Sequence, residues 1–173
     1  MNRDDWRHCP RCAGPLEWRD AGHPPSLQPV CQACGFVAWQ NLKPSIEALI
    51  VRGERNATEV LLGRLGVGPA RGRWDIPGGF LNADDRLHDA LRRECLREVG
   101  VEVAIGELLG VFEDEFAGSR IVSIIYVCRI ASGHPRAADI VDRVAWFPVN
   151  ETPDIAYPAV RDALAVLRER LQA

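Results

Sequence analysis

Short apolar blocks separated by polar turns make up most of the chain, and their spacing predicts β-strands in most places. Blocks rich in β-branched residues predict strands at residues 46–51, 59–65, 101–112, 120–130 and 144–149. A brief strand is predicted at 74–76, and the proline–glycine turn at 77–79 ends it. The chain is therefore expected to be built mainly on a sheet.

Residues 86–99 have helical periodicity instead. Apolar side chains recur there every three or four positions, which predicts a helix whose buried stripe is Leu87, Ala90, Leu91, Cys95 and Val99. Asp84 and Asp85 are candidate N-caps, and Gly100 is a candidate C-terminal stop. A second amphipathic helix is predicted at 158–171. The mixed order of strands and helices predicts an α+β domain, an α/β/α sandwich, rather than a doubly wound sheet.

The size and charge of the chain narrow the choice of partners. Its 173 residues are enough for one domain and a small appendage. A net charge of −3 argues against nucleic acid or an anionic membrane as the main partner, whereas a small anionic substrate can still bind through a local cation. Residues 1–8 lack the apolar core of a secretory signal, and the apolar runs are too short to cross a bilayer. We therefore expect a cytoplasmic protein.

Four of the six cysteines form two closely spaced pairs. Cys9 and Cys12 are separated by two residues, and so are Cys31 and Cys34. Each tight turn can offer two thiolates to one ion, and two turns complete the tetrahedron that zinc prefers. The pattern predicts a structural Zn²⁺ site in a zinc ribbon over residues 1–42.

The remaining residues, 43–173, are predicted to form the second domain. For the paired cysteines the alternative is two disulfides or free core thiols, which a reducing cytosol and the paired spacing disfavour. His8 and His23 are alternative ligands, although four cysteines already fill the coordination shell. Cys95 and Cys128 lie among apolar residues and are predicted to be buried thiols.

Glycines follow both cysteine pairs closely. Gly14 and Gly35 stand where a metal-binding turn needs a residue that tolerates unusual backbone dihedrals. Both are therefore predicted to adopt such a conformation.

A longer motif begins at the glycine turn and runs through the predicted helix. Without any insertion, residues 79–101 follow the pattern G-x5-E-x7-R-E-U-x-E-E-x-G-U, in which U is apolar, with Asp85 in place of the first glutamate. The other matching residues are Gly79, Arg93, Glu94, Cys95, Glu98, Gly100 and Val101. The motif resembles the Nudix box, and with its flanking segments the likeness covers about residues 44–172. Together with the ribbon, it is similar to NADH pyrophosphatases and related ADP-ribose or FAD pyrophosphatases.

The resemblance implies a hydrolase that uses Mg²⁺ or Mn²⁺ to cleave the diphosphate linkage of a nucleoside diphosphate joined to another group. The residues it implies are Glu94, Glu98 and the Gly79 carbonyl for the metal, Arg93 with the two glutamates for catalysis, and Arg64, Gly78 and Phe80 for substrate. Phe80, like Trp74, can instead be a core residue. Many relatives pair through the domain or the ribbon, so a homodimer is one possible assembly.

The spacing of the two glutamates has its own physical meaning. Glu94 and Glu98 are four residues apart on a predicted helix, so they lie on one face. Two carboxylates so placed can hold a hard divalent cation with water and a diphosphate. The alternative is a solvated helix face, on which the glutamates form ion pairs with Arg93 and Arg97.

One residue departs sharply from the Nudix pattern. Arg97 stands where the motif has a glutamate, and a unit charge ~5 Å from a divalent ion is repelled by about 6–7 kcal/mol at an effective dielectric near 20. The second hypothesis is therefore a catalytically impaired Nudix-fold module that binds a nucleotide-like ligand or a partner. The lost carboxylate could be replaced by Glu47, Glu113, Asp114 or Glu115.

Overall fold

The computed structural model describes residues 6–22, 26–54 and 57–172. The chain divides into two compact units, residues 1–42 and residues 43–173. Within the described residues, no helix combines the length and the apolar character that a membrane span requires.

The first unit is built on one small hairpin. Strand β1 (Leu16–Asp20) pairs antiparallel with β2 (Leu27–Cys31). A small apolar cluster consists of Cys9, Leu16 and Cys31, with Trp6 and Phe36 packed against it. Because this cluster is too small to stabilise a domain by itself, a structural metal is a reasonable source of further stability.

The tight turns beside the cysteines use glycine in two different ways. Gly35 has a φ of 71°, the left-handed conformation that was predicted for it. The same prediction is wrong for Gly14, because Ala13 takes the left-handed conformation, with a φ of 59°. A Cβ on Gly14 would lie 3.1 Å from the Cβ of Ala33, so close packing explains the glycine there.

The second unit contains a seven-stranded mixed sheet. Its strands are β3 (Lys43–Arg52), β4 (Glu59–Leu65), β5 (Trp74–Asp75), β6 (Gly78–Phe80), β7 (Val101–Phe116), β8 (Ser119–Gly133) and β9 (Val141–Pro148). The order is β5-β4-β3-β8-β7, with β6 also paired to β3 and β9 also paired to β4. Strands β3 and β8 are parallel, and the other pairs are antiparallel.

One helix covers each face of this sheet. Ile46 and Ile50 of β3 belong to the core cluster under α1 (Leu87–Val99), whereas Leu49 of the same strand belongs to the cluster under α2 (Pro158–Gln172). The alternation follows from the two-residue period of a strand. The predicted α+β fold of α/β/α layers is confirmed.

Helix α1 ends as predicted but begins differently. Gly100 is left-handed, with a φ of 70°, and its N–H donates to the carbonyl of Leu96 at 3.2 Å. The prediction of an aspartate N-cap is wrong: the cap is Arg86, with no side-chain hydrogen bond to the helix. The carboxylate of Asp85 is instead bound to Arg93.

The buried face of α1 is also wider than its apolar stripe. Leu87 was predicted to be buried, but it is 42% exposed. Glu94 and Glu98 are buried along with the apolar residues. Two carboxylates have thus been taken out of water next to the glycine turn, which requires compensating charges or hydrogen bonds.

Candidate active site

A cavity of about 400 Å³ lies in the second unit, beside α1 and the glycine turn. The acidic residues among those that line it are Glu47, Asp75, Glu94, Glu98, Asp114 and Glu115. Arg97 is the one basic side chain among the described lining residues. This excess of carboxylates gives the cavity a negative potential that attracts cations.

The glycine turn brings backbone directly against the carboxylates. The N–H of Gly78 donates to Oε2 of Glu98 at 3.1 Å. A Cβ on Gly78 would lie 2.5 Å from Cγ of Glu47, and one on Gly79 would lie 3.2 Å from the carboxylate of Glu94. Glycine is therefore required for this close approach. The side chains of Glu94 and Glu98 are only 9% and 4% exposed, so the solvated helix face of the alternative is wrong, although the ion pairs that it predicted with Arg93 and Arg97 are present.

The guanidinium of Arg97 lies between the two glutamates of α1. Its Nε donates to Oε2 of Glu94 at 2.8 Å, and its Nη2 donates to Oε1 of Glu98 at 3.1 Å. Its Nη1 forms an ion pair with Oδ2 of Asp139. The positive charge that two buried carboxylates need is thus supplied by the chain itself.

Arg93 joins α1 to the loop that precedes it. Its Nη1 and Nη2 donate to the carboxylate of Asp85 at 2.7 and 3.1 Å, and its Nε donates to Glu94 at 3.2 Å. The guanidinium holds the pKa of Asp85 well below its usual range. Arg93 therefore has two partners, one of which is a glutamate of the cavity.

Three of the cavity carboxylates have raised pKa values. Burial raises the pKa of Glu98 to about 7, against the opposing effect of the hydrogen bond from Gly78. Burial also raises the pKa of Asp75 well above its usual range, and the like charge of Glu47 adds to this shift. Glu47 itself has a pKa raised by burial, although its carboxylate accepts a 2.8 Å hydrogen bond from Ser45. A bound cation would relieve this accumulation of negative charge.

The acidic residues near the end of β7 point in different directions. Asp114 and Glu115 line the cavity, and Oδ2 of Asp114 accepts a 3.2 Å hydrogen bond from the N–H of Ala159 at the start of α2. Glu113 does not line the cavity, and its side chain, which is 79% exposed, pairs with Arg120 at 3.0 Å. Of the four carboxylates predicted to compensate for Arg97, the structure places Glu113 outside the cavity.

Aromatic side chains form one edge of the cavity. The ring of Phe80 contacts that of Phe116 edge-on, with centroids 5.8 Å apart, and Phe116 lies 6.1 Å from Tyr157. Phe80 is 44% exposed, so the core alternative for it is wrong. For Trp74 the core alternative is confirmed, because it is part-buried against the core and packs on Phe147 with centroids 4.8 Å apart.

Arg64 is not among the residues that line the cavity. Its neighbours Gly63 and Leu65 do line it, and strand alternation turns the Arg64 side chain away. The guanidinium donates twice to Asp142, at 2.8 and 3.2 Å. A contact between Arg64 and a phosphate stays a prediction.

The four paired cysteines come together in the first unit. Their Sγ atoms all lie within 4.8 Å of one another, with Cys9 to Cys34 at 3.7 Å and Cys12 to Cys31 at 3.5 Å. A zinc tetrahedron with Zn–S bonds of about 2.3 Å has sulfur atoms roughly 3.8 Å apart, whereas disulfide sulfurs are bonded at about 2.05 Å. No disulfide joins these four cysteines, so the disulfide alternative is wrong, and Cys12 and Cys34 are exposed, which does not fit core thiols. The donor set fits zinc.

The other candidate ligands and thiols are separate from this cluster. His8 is not part of it, and His23 lies outside the described residues. Cys95 and Cys128 are buried in the core of the second unit, as predicted.

Some residues of the site carried no recognised signal in the sequence. Asp75 is an acid between two apolar residues, Trp74 and Ile76, a pattern that could have marked it. Asp139 is in a loop far from the motif, so only the tertiary structure brings it to Arg97. Phe116 and Tyr157 likewise meet Phe80 only through the fold.

Comparison with known proteins agrees with this geometry. The sequence profile of the NUDIX domain matches residues 42–167, which is most of the chain. The chain belongs to the Nudix family. Glu94 and Glu98 of the cavity lie within the Nudix-box segment of this match.

Individual Nudix relatives are similar to the chain over different lengths. It is 31% identical to the NAD-capped RNA hydrolase NudC of Pseudomonas aeruginosa (strain LESB58), over 90% of this chain and 51% of that protein. It is 28% identical to the ADP-ribose pyrophosphatase of Methanocaldococcus jannaschii, over 51% of this chain and 54% of that protein. The chain thus spans about half the length of the curated relatives it matches.

A crystal structure of a NUDIX hydrolase from Nitrosomonas europaea superposes with a TM-score of 0.76 at 24% identity. The superposition covers 96% of this chain and 90% of that one. This likeness shows a shared fold.

Proposed function

We propose that the chain is a divalent-cation-dependent hydrolase that cleaves the diphosphate linkage of a nucleoside diphosphate joined to another group. One observation carries the proposal: Glu94 and Glu98 enter the same cavity beside the glycine turn of the Nudix box. Membership of the family supports the reaction class. The four remaining acidic residues of the lining support the binding of a cation.

The metal-holding groups proposed are the carboxylates of Glu94 and Glu98 and the carbonyl of Gly79. All are hard oxygen donors, the kind that Mg²⁺ and Mn²⁺ prefer. The glycines fit this role, because a Cβ at either position would crowd a carboxylate of the cavity. When bound, the cation would neutralise the diphosphate and make water a better nucleophile.

The other roles fall to side chains of this chain. Arg93 orients Glu94 through its Nε, which lies 3.2 Å from that carboxylate. A carboxylate of the cavity can accept the proton of the attacking water, and burial, which raises the pKa values of Glu47 and Asp75, makes each of them a stronger base once it is ionised. The backbone N–H of Gly78 already donates to Glu98 and keeps that side chain aimed at the cavity.

For the substrate we propose a nucleotide-like molecule whose ring packs on Phe80. A part-exposed aromatic edge beside an acidic, cation-attracting wall suits a molecule with a flat ring and a diphosphate. ADP-ribose, NADH and FAD share this chemistry. The ADP-ribose pyrophosphatase and the NAD-capped RNA hydrolase among the relatives support the same class.

A second candidate function is a Nudix module that binds a nucleotide without turning it over. The observation that favours it is the guanidinium of Arg97, which is hydrogen-bonded to both Glu94 and Glu98. While that contact persists, Glu94 and Glu98 are not free to hold a cation together. The ligand would then be recognised by the aromatic edge and by Arg97.

A substrate panel separates the two functions. Zinc-loaded protein is incubated with Mg²⁺ or Mn²⁺ and with ADP-ribose, NADH, FAD, NAD-capped RNA or nucleoside triphosphates, and products are separated by chromatography. A hydrolase releases a nucleoside monophosphate from at least one member. Tight binding of one member without product from any member supports the module instead.

A matched pair of variants tests the role of the helix. Glu98→Gln keeps the shape of the side chain but removes its charge, and hydrolysis should fall by at least ~100-fold if the carboxylate acts on the metal or water. Glu113→Gln is the control, because this glutamate lies outside the cavity. Hydrolysis unchanged by Glu98→Gln would remove Glu98 from the mechanism.

A further inference from the structure

The loop between β8 and β9 holds an aspartate against the arginine of the cavity. Asp139 has a φ of 53°, a left-handed conformation that few residues other than glycine, asparagine and aspartate adopt readily. Its carboxylate pairs with Nη1 of Arg97, the nitrogen for which no bond to either glutamate is found. Arg97 is thus bound on one side by the cavity and on the other by this loop.

Backbone hydrogen bonds fix the loop on both sides of Asp139. The N–H groups of Arg136 and Ala138 donate to the carbonyls of Val99 and Glu98, each at 3.0 Å. These carbonyls belong to the last turn of α1, where no helical partner is available. The N–H of Val141 donates to the carbonyl of Ala138 at 3.0 Å and closes a turn around Asp139. The helix that carries Arg97 and the loop that carries Asp139 are therefore one connected element.

The anionic partners of Arg97 differ in how far they are exposed to solvent. The side chains of Glu94 and Glu98 are 9% and 4% exposed, whereas that of Asp139 is 38% exposed. A guanidinium that left the glutamates could keep its bond to Asp139 and gain contact with water. Because this bond is present before the guanidinium leaves, it lowers the cost of leaving by the amount that it strengthens once Asp139 no longer shares the guanidinium with the two glutamates.

We propose that Asp139 is a positioning residue that draws the guanidinium of Arg97 out of the cavity when a divalent cation takes its place on Glu94 and Glu98. In this arrangement Arg97 competes with the cation for Glu94 and Glu98. Asp139 lowers the free energy needed to displace the guanidinium. The proposal rests on the proposed function, since it requires those two glutamates to bind a cation. It also explains how the proposed hydrolase can carry an arginine at this position of the motif.

The test measures Mn²⁺ binding directly, by electron paramagnetic resonance of the free ion. Zinc-loaded wild-type protein is compared with Arg97→Gln, Asp139→Asn and the double variant. Asparagine suits the left-handed conformation of residue 139, so the loop should keep its shape, and circular dichroism checks the fold. Binding is measured without substrate, which makes the readout independent of turnover.

The proposal predicts opposite effects of the two single changes. Arg97→Gln should tighten Mn²⁺ binding by about 10-fold or more, since the competing charge is gone. Asp139→Asn should weaken it by about 5-fold, since Arg97 loses its outer partner. In the Arg97→Gln background, Asp139→Asn should change the affinity by less than ~2-fold.

Two results would overturn the proposal. An equal weakening by Asp139→Asn in both backgrounds would mean that the aspartate attracts the cation directly, and no weakening in the wild-type background would mean that Arg97 does not use it. Failure of the proposed function looks different: none of the four proteins, Arg97→Gln included, would bind Mn²⁺.

Discussion

The carboxylate of Asp85 accepts two hydrogen bonds from the guanidinium of Arg93, at 2.7 and 3.1 Å, across eight residues of sequence. Aspartate is one methylene shorter than the glutamate of the Nudix pattern, yet it completes the pair. The backbone N–H of Asn82 donates to the same carboxylate at 2.8 Å. The loop after the glycine turn is thus fastened to α1 by one side chain.

Loss of this pair should disturb the site through Glu94, because Arg93 also donates to that glutamate. We expect Asp85→Ala to lower kcat by roughly 10-fold and to lower the melting temperature, since the loop and the arginine both lose a partner. The measurement is steady-state kinetics with whichever panel substrate is cleaved, together with a thermal melt.

Asp85→Glu is the matched control, since it restores the residue of the family pattern and keeps the charge. It should retain activity within ~3-fold of the wild type. Equal losses in Asp85→Ala and Asp85→Glu would show that length, rather than charge, governs the pair.

Zinc content should depend on the paired cysteines alone. We expect about one zinc ion per chain in the wild type and less than ~0.2 in the double variant Cys12→Ser/Cys34→Ser, because two ligands cannot hold a structural ion against competing water. Metal is measured by a colorimetric chelator after unfolding. Cys95→Ala, a thiol of the second unit, should leave the content unchanged; a loss of zinc there would place the ion elsewhere.

The fold was predictable because apolar periodicity and the glycine stop report on backbone geometry directly. The sequence predicts β4 with its observed bounds and α1 to within one residue, and Gly100 ends α1 in the left-handed conformation as predicted. The prediction for β7 stopped at residue 112, whereas the strand continues to Phe116. Residues 113–115 at the end of this strand are all acidic, so the apolar pattern on which the prediction relied stops before the strand does.

The site was only partly predictable, because its chemistry depends on contacts between distant segments. Motif spacing placed Glu94 and Glu98 on one face, which the structure bears out. The position of the Arg97 guanidinium could not be derived from the sequence, because it depends on Asp139, which lies in a loop 42 residues further along the chain. A motif specifies which residue types are present, whereas the pairing of their charges depends on the folded structure.

The stability of the cation-free protein should fall as pH rises from about 5 to 8. Burial raises the pKa of Glu98 from an ordinary 4.5 to about 7, so in this window the folded state holds more protons than the unfolded state. Ionising the buried group above pH 7 costs on the order of 3 kcal/mol of unfolding free energy. The lowered pKa of Asp85 acts oppositely, but its contribution is lost only below its ordinary value of 3.8.

Urea unfolding in Mg²⁺-free buffer measures this effect. Zinc-loaded wild type and Glu98→Gln are compared at several pH values between 5.5 and 8, so that any contribution of the ribbon cancels. The variant should show a flatter dependence, because glutamine does not titrate. Parallel curves for the two proteins would mean that Glu98 is not the group responsible.

The aromatic edge should determine substrate affinity rather than rate. Phe80 contacts Phe116 and is 44% exposed at the cavity, so a flat ring can pack on it at little cost in reorganisation. Phe80→Ala should raise KM by about 10-fold while changing kcat by less than ~3-fold, since the ring lies on the substrate and not at the reacting phosphorus. Val111→Ala, an exposed apolar residue outside the cavity lining, is the control. If the chain is a binding module, the same 10-fold change should appear in the Kd of the nucleotide. A Kd and a KM that Phe80→Ala leaves unchanged would exclude the aromatic edge from ligand recognition under either function.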